Sequence, residues 1–369
     1  MRLRAWEVRR HRTSRLAGLI AVAASFAACG PAPKAAPDTQ PAQARAPAAP
    51  RLSPAELGTL VDSLLSGSPE AERLAADSLE RLDDPRLPAT LLERLRTPAY
   101  RYEAGRALSR LGLGSGVDTL VSGLSDTSGF VRWSVATALG VQGVARAGPS
   151  LVRALDDPAM PVRRAAAISL GQLADTTWLG ALLDHARDPR EEVRAAIAEA
   201  LGQFGDRATT VLGEMAEQDS GLVVIAAVKS LGHTGNEVAV PRIGIVLLDG
   251  PVPARLAASE SLGGIGGPAA ESLLVAAAVD DPVPLVRESA IRALAHSRPD
   301  LVLGLSTARR KTEEDAFVRV AWVEAIDRLS GEQALGALRL LAMEDVSPDV
   351  RAAALEALRL RGESGPRRP

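Results

Sequence analysis

Side chains able to do chemistry are few in this sequence, and they are scattered. Beyond residue 28 there are three histidines, His185, His233 and His296. No serine stands in a nucleophile elbow, no glycine-rich segment forms a phosphate loop, and no histidine pair frames a glutamate as a zinc protease helix requires. Gly264-Ile265-Gly266 with Ala269 imitates a dinucleotide fingerprint, but it follows a helical pattern where that motif needs a strand. Cys29 is the only cysteine. It is either an incidental free thiol or a residue placed for modification. The residues therefore predict no catalytic centre, no metal site and no bound cofactor, and hence a protein that is not an enzyme.

The surroundings of Cys29 favour modification. Arg2, Arg4, Arg9, Arg10, Arg12 and Arg15 form a basic region, and the apolar run Leu16 to Ala28 follows it. A run of thirteen residues is shorter than the ~20 a membrane-spanning helix needs, and it reads as the core of a signal peptide. Phe26-Ala27-Ala28-Cys29-Gly30 resembles the lipobox of bacterial lipoproteins, although Leu is usual where Phe26 stands. The resemblance implies cleavage after residue 28 and lipidation of Cys29. Residues 30–50 carry eight Ala and six Pro without apolar periodicity, the composition of an extended tether. Removing residues 1–28 takes away six basic and one acidic residue and leaves 37 basic against 44 acidic, a net charge of −7. A nucleic-acid reader presents a basic surface, so no nucleic-acid partner is expected.

The rest of the chain is built on one unit. The segment around Val162-Arg163 recurs around Arg194, Arg287 and Arg351. With the arginine as reference, equivalent positions are Glu72, Arg101, Arg132, Arg163, Arg194, Val224, Arg255, Arg287, Arg319 and Arg351, at intervals of 29 to 32 residues. Seven positions on stands Leu in every unit except one, which has Ile326. Val193, Ile197, Ala200 and Leu201 share one helical face, and Val162, Ala166, Ser169 and Leu170 repeat it. A second apolar helix precedes each, as in Trp178 to Ala186, Leu273 to Val279 and Leu335 to Met343, so each unit is a hairpin of two helices. Pro161, Pro253, Pro284 and Pro348 mark helix starts. Gly140, Gly171, Gly202, Gly232 and Gly263 are expected to end helices in left-handed caps or sharp turns.

Six residues before the reference arginine stand Asp126, Asp157, Asp188, Asp249, Asp281 and Asp345, with Glu313 in the same phase. Such an acid can accept from the free N–H groups of the helix start, and the arginine one turn in can pair with acids of its own or the adjacent unit. This pattern resembles the aspartate and arginine ladder of HEAT repeats, and its wording is similar to the short subtype named after phycobilin lyases. The expected ladder comprises those acids with Arg132, Arg163, Arg194, Arg255, Arg287, Arg319 and Arg351. It should weaken at Glu72 and Val224, with a local change of curvature. The resemblance implies an all-α fold, an α-solenoid of about ten tandem HEAT-like helix hairpins with the second helices lining its concave face. The domain reading is a signal peptide over 1–28, a lipidated Cys and tether over 29–50, the solenoid over 51–361 and a disordered tail over 362–369.

Two HEAT-type enzymes offer a comparison. The di-iron hydroxylase of that architecture carries His-Glu pairs, which are lacking here, and the HEAT-like DNA glycosylases carry a basic groove. Outward phases of the second helices gather Tyr102, Phe130 and Trp133 on two adjacent units. They form either a partner-binding patch or a cover for the N-terminal edge of the core. The function expected is a membrane-anchored protein-binding scaffold or adaptor in the cell envelope, held by its lipid and binding a protein or peptide. An accessory or lyase-like HEAT protein assisting cofactor attachment or protein modification is the alternative, and a structural envelope spacer is the third. Gly30 after the lipidated cysteine favours the outer membrane, facing the periplasm.

Overall fold

The computed structural model describes residues 52–111 and 116–363. The signal segment, Cys29 and the tether lie outside the described residues. So do residues 364–369 of the expected tail; within the described residues Glu363 accepts from Arg339 at 2.7 Å.

The described residues fold as an all-α solenoid, a tandem series of helix hairpins without strands. The first helices of the hairpins are α1 (Pro54–Leu64), α3 (Leu87–Arg96), α5 (Val117–Ser122), α7 (Gly148–Ala154) and α9 (Leu179–Asp184). They continue with α11 (Thr209–Gln218), α13 (Val240–Asp249), α15 (Gly267–Asp280), α17 (Pro299–Arg309) and α19 (Glu332–Glu344). The second helices are α2 (Pro69–Leu82), α4 (Arg101–Arg110), α6 (Gly129–Val141), α8 (Met160–Leu173) and α10 (Glu191–Leu201). After them come α12 (Gly221–His233), α14 (Val252–Ile265), α16 (Pro284–Ser297), α18 (Ala316–Ile326) and α20 (Pro348–Leu360). From α4 onward each second helix packs on the next, and first helices pack on one another more sparsely. Several first helices open with a 3-10 turn; Trp178, expected inside a helix, belongs to such a turn and lies over Gly148.

The core follows the repeat. Leu79, Leu108, Leu139, Leu170, Leu201 and their successors through Leu358 are each at most 1% exposed, and burying each stabilises the stack by ~1.5–3 kcal/mol. A single hairpin exposes this face, so stability resides in the contact between neighbours.

The periodic glycines do something other than expected. Gly140, Gly171, Gly232 and Gly263 lie inside helices, and Gly202 holds right-handed backbone at the end of α10. Their missing Cβ lets second helices approach closely: a Cβ on Gly171 would stand 2.7 Å from Ala200 Cα, and one on Gly232 2.6 Å from Ser261 Cβ. The left-handed turns come three residues later, at Gly143, Gly205, Gly235 and Gly266, with Ala174 in the equivalent place at φ 48°. Except for α10, which ends at Leu201, these helices run two or three residues past the repeating leucine, and the first glycine of each pair serves packing.

Candidate partner-binding face

The ladder residues hold the hairpins in register. The arginines from Arg132 to Arg319 lean toward the next unit and donate to its acid, whereas Arg351, in the last unit, donates to backbone carbonyls and forms no ion pair among the described residues. Arg132 reaches Asp157 at 2.6 Å, Arg163 and Arg194 reach Asp188 and Asp219 at 2.7 Å, and Arg255 reaches Asp281 at 2.9 Å. Arg287 with Glu313 at 2.7 Å and Arg319 with Asp345 at 2.9 Å complete the series. The same guanidinium donates to a backbone carbonyl of its own unit, as Arg163 does to Asp157 at 3.1 Å and Arg351 to Asp345 at 2.7 Å. The acids in turn accept from the N–H two residues on, such as Ala159 on Asp157 and Val283 on Asp281 at 2.8 Å, except Asp219, which accepts from its neighbour Ser220 at 2.9 Å. That N–H belongs to the residue preceding the helix. The acids thus brace the turn before the helix rather than its first free amides, because the guanidinium holds the carboxylate toward the preceding unit.

Two departures correct the expected ladder. Asp249 ends α13, is exposed, and forms no ion pair among the described residues, because Val224 replaces the arginine that would reach it. Asp219 takes up Arg194 instead. Its phase conceals it, since Gln218 stands where the acid is expected, but its 25-residue interval from Arg194 equals that from Arg163 to Asp188. The missing rung does not separate the helices: Gly232 meets Ser261 as Gly202 meets Ser230. Glu72 replaces the arginine of the first unit by a reversed pairing, receiving Arg106 at 2.9 Å and Arg110 at 2.7 Å.

The second departure builds the aromatic cluster. Arg101 has the ladder position facing Asp126, yet its guanidinium lies 4.9 Å from the centre of the Phe130 ring. Its Nε is buried without a hydrogen-bond partner among the described residues. Arg96 supplies Asp126 from α3 instead. Phe130 meets Tyr102 edge to face at 5.8 Å and Trp133 at 5.2 Å. Phe130 and Trp133 sit three apart on the first turn of α6 and so share a face; Tyr102 comes from the first turn of α4. Such ring pairs contribute ~0.5–1.5 kcal/mol each beyond buried area. Tyr102 is nevertheless 72% exposed.

Elsewhere on the second-helix face stands Glu199. Crowding by surrounding protein pushes its carboxyl up, against the pull of Arg164 and Lys229, although the residue is exposed to solvent. The histidines are engaged locally: His185, His233 and His296 each place Nδ1 on the carbonyl four residues back, at 2.7, 2.8 and 3.1 Å. Among the described residues no group of three or more His, Cys, Asp or Glu side chains is arranged to hold a metal ion. A recess of 380 Å³ beside Trp322 is lined by Arg287 and Glu313, already paired, and by Arg309, 3.5 Å from Asp280.

No curated protein matches the chain. Among solved structures, the complex of CpcE and CpcF of phycocyanin lyase from Nostoc sp. PCC7120 is 23% identical, with 71% of this chain and 93% of that one covered and a TM-score of 0.33. Human deoxyhypusine hydroxylase is 22% identical over 77% of this chain and 99% of that one, with a TM-score of 0.31. Importin beta is 15% identical over 82% of this chain and 50% of that one, with a TM-score of 0.54. At 15% identity the likeness to importin beta is one of fold. The model of HEAT repeats matches residues 89–171, 149–232, 179–253 and 222–295, which run without a gap over more than half of the chain. With the arginine rungs and stacked hairpins in place, the chain belongs to the HEAT-repeat family.

Proposed function

We propose that the protein is a membrane-anchored scaffold that binds a protein or peptide partner on its second-helix face, with Tyr102, Phe130 and Trp133 as an anchor. One observation carries the reading: Tyr102 is 72% exposed at the edge of a packed ring trio. Rings held in place by their neighbours bury large area on contact at little entropic cost, which is why aromatic side chains dominate interface energetics. The alternative role, a cover for the edge of the core, is weakened by position. A whole hairpin, α1 with α2, precedes α4, and Glu72 of α2 is ion-paired to α4. The lipid anchor rests on the sequence around Cys29 and gives the binding face its location in the cell envelope, the outer membrane by Gly30.

The experiment is affinity capture from envelope extracts with the parent chain and with the Tyr102→Ala/Trp133→Ala variant, followed by identification of bound proteins. A partner retained by the parent and lost by a variant of unchanged helicity supports the anchor; unchanged capture with a lowered melting temperature refutes it. For the membrane, Cys29→Ala should abolish incorporation of a labelled fatty acid, and persistence of the label would refute lipidation there.

A further inference from the structure

The second-helix face changes chemistry along its length. On α4 and α6 its outward side chains are aromatic and basic, as above. From α14 to α20 they are apolar and acidic. Leu285 and Phe317 head α16 and α18 at 49% and 58% exposure, and Leu256 and Val320 are half-buried beside them. Glu260, Glu324 and Glu356 stand exposed in the row behind, one on each of α14, α18 and α20. The base in that row, Arg292, is engaged by two carboxylates, Glu288 at 2.9 Å and Glu324 at 3.4 Å. Arg328 lies beyond the end of α18, and Arg359, in the last turn of α20, makes an exposed ion pair with Glu356 at 3.7 Å, which leaves Glu260, Glu288 and Glu324 as the carboxylates of the row that outnumber its bases. Burial pushes the Glu288 carboxyl up, Arg292 opposes this, and Glu324 and Asp315 add to it; with these three carboxylates set against Arg292, the surface beside Leu285 and Phe317 is acidic.

We infer that this half of the face docks a cationic amphipathic segment of a protein, an extended polyproline II stretch in which an aliphatic or aromatic residue followed by Arg or Lys recurs every third residue. Charge complementarity selects the occupant. An acidic or nucleic-acid partner would meet Glu260, Glu288, Glu324 and Glu356, and a purely apolar one would leave those carboxylates desolvated without compensation. Geometry sets the period. Helix layers repeat at ~8–10 Å and a polyproline II chain rises ~3.1 Å per residue with three residues per turn, so one unit takes about three residues, side chains of one phase stay on one face, and α14 to α20 take about twelve residues. Apolar side chains of the segment meet Leu256, Leu285, Phe317 and Val320, and its cations meet the row of glutamates.

This inference rests on the reading that the second-helix face binds protein, but it concerns different residues from the aromatic anchor, so the two fail separately. The probe is fluorescein-labelled (Leu-Arg-Ser)4, with (Leu-Glu-Ser)4 and (Ser-Arg-Ser)4 as controls, titrated by anisotropy against the full-length chain. The Leu-Arg-Ser peptide should bind about tenfold tighter than either control at ~50 mM salt and weaken markedly at ~500 mM. Glu288→Gln/Glu324→Gln and Phe317→Ser should each cut its affinity at least about fivefold, ~1 kcal/mol, with helicity unchanged, whereas Tyr102→Ala/Trp133→Ala should leave it within about twofold. Equal binding of the Leu-Glu-Ser peptide, no binding by any peptide, or indifference to Glu288→Gln/Glu324→Gln would overturn the inference.

Discussion

Adjacent glycines in α14 give a controlled test of how the hairpins are held together. Gly263 and Gly264 are both helical and both in the last turns of the same helix, so replacing either by Ala gains the same intrinsic helix preference, ~1 kcal/mol at most. They differ in what the new methyl would meet. At Gly263 it would stand 2.7 Å from Ala293 Cβ and 3.1 Å from Ala293 Cα, whereas at Gly264 nothing lies within 4 Å. Carbon atoms in ordinary contact are ~3.5–4.0 Å apart, so α14 and α16 would have to part by nearly 1 Å, and neither Ala293 atom can swing away as a long side chain would. Such overpacking costs ~1–3 kcal/mol. Gly264→Ala should therefore stabilise by ~0.5–1 kcal/mol, and Gly263→Ala should be neutral to destabilising by ~2 kcal/mol, a gap of ~1–3 kcal/mol between neighbours in sequence. Urea unfolding monitored by far-UV circular dichroism gives the net shift. Hydrogen exchange of the α14 and α16 amides localises it, since a repeat stack can open unit by unit. Equal shifts of the same sign for the two variants would refute close helix approach as the role of the periodic glycines.

Ala174→Gly should raise stability by ~0.5 kcal/mol in the same unfolding assay, because Ala there pays the ~1–2 kcal/mol left-handed cost that glycine avoids, partly offset by glycine's greater unfolded entropy; Ala174 has φ 48° where four equivalent helix ends carry Gly. Arg319→Leu should destabilise by ~3–5 kcal/mol through the stranded Asp345 carboxylate, since both side chains are at most 4% exposed. Asp62→Asn, which breaks a far more exposed pair with Arg94, should change stability by no more than ~1 kcal/mol. Acid titration of unfolding should show the ladder directly. Arg194 holds the Asp219 carboxyl below the usual range against burial, and at Asp157 burial is outweighed by Arg132 and the Ala159 N–H. A depressed folded pKa means stability fully present above the unfolded value near ~3.9 and lost as pH falls through the folded one. Stability should therefore drop below about pH 4, and Asp219→Asn should flatten that drop; an identical acid profile in the variant would contradict the assignment.

Much of this architecture was legible because a stack of like units imprints its period on the chain. The buried leucines and isoleucine seven places after each reference residue, the second-helix starts at Pro284 and Pro348, and the rungs from Arg132 to Arg319 follow from spacing. What escaped depends on neighbours that spacing does not show. Glycine at the end of an apolar face signals equally a cap or a close crossing, and only the position of Ala200 opposite Gly171 decides between them. Asp249 keeps the phase of a rung yet lacks a partner because the residue at fault, Val224, lies in another unit. Asp219 serves as a rung out of phase, and the interval of 25 or 26 residues from arginine to the following acid, rather than the phase within a unit, was the signal that finds it.

The same logic bears on where recognition resides. Residues that recur in every unit are explained by the stack itself, so a site must be sought where a unit breaks the rule and the break is compensated. At Val224 the compensation is apolar, with the side chain buried at 4% exposure, and the result is a filled core with no new surface. At Arg101 the compensation is different in kind. Arg96 takes over Asp126 from another helix, which releases the Arg101 guanidinium to lie on Phe130 and fixes that ring between Tyr102 and Trp133. A substitution that merely preserved the stack would not need a second arginine, an orphaned Nε and an exposed tyrosine in one place. Returning Arg101 to the ladder, by Arg96→Ala, should therefore loosen the ring trio while sparing the fold. The expected readout is greater quenching of Trp133 fluorescence by acrylamide with a melting temperature little changed, and quenching identical to the parent would detach the aromatic cluster from the broken rung.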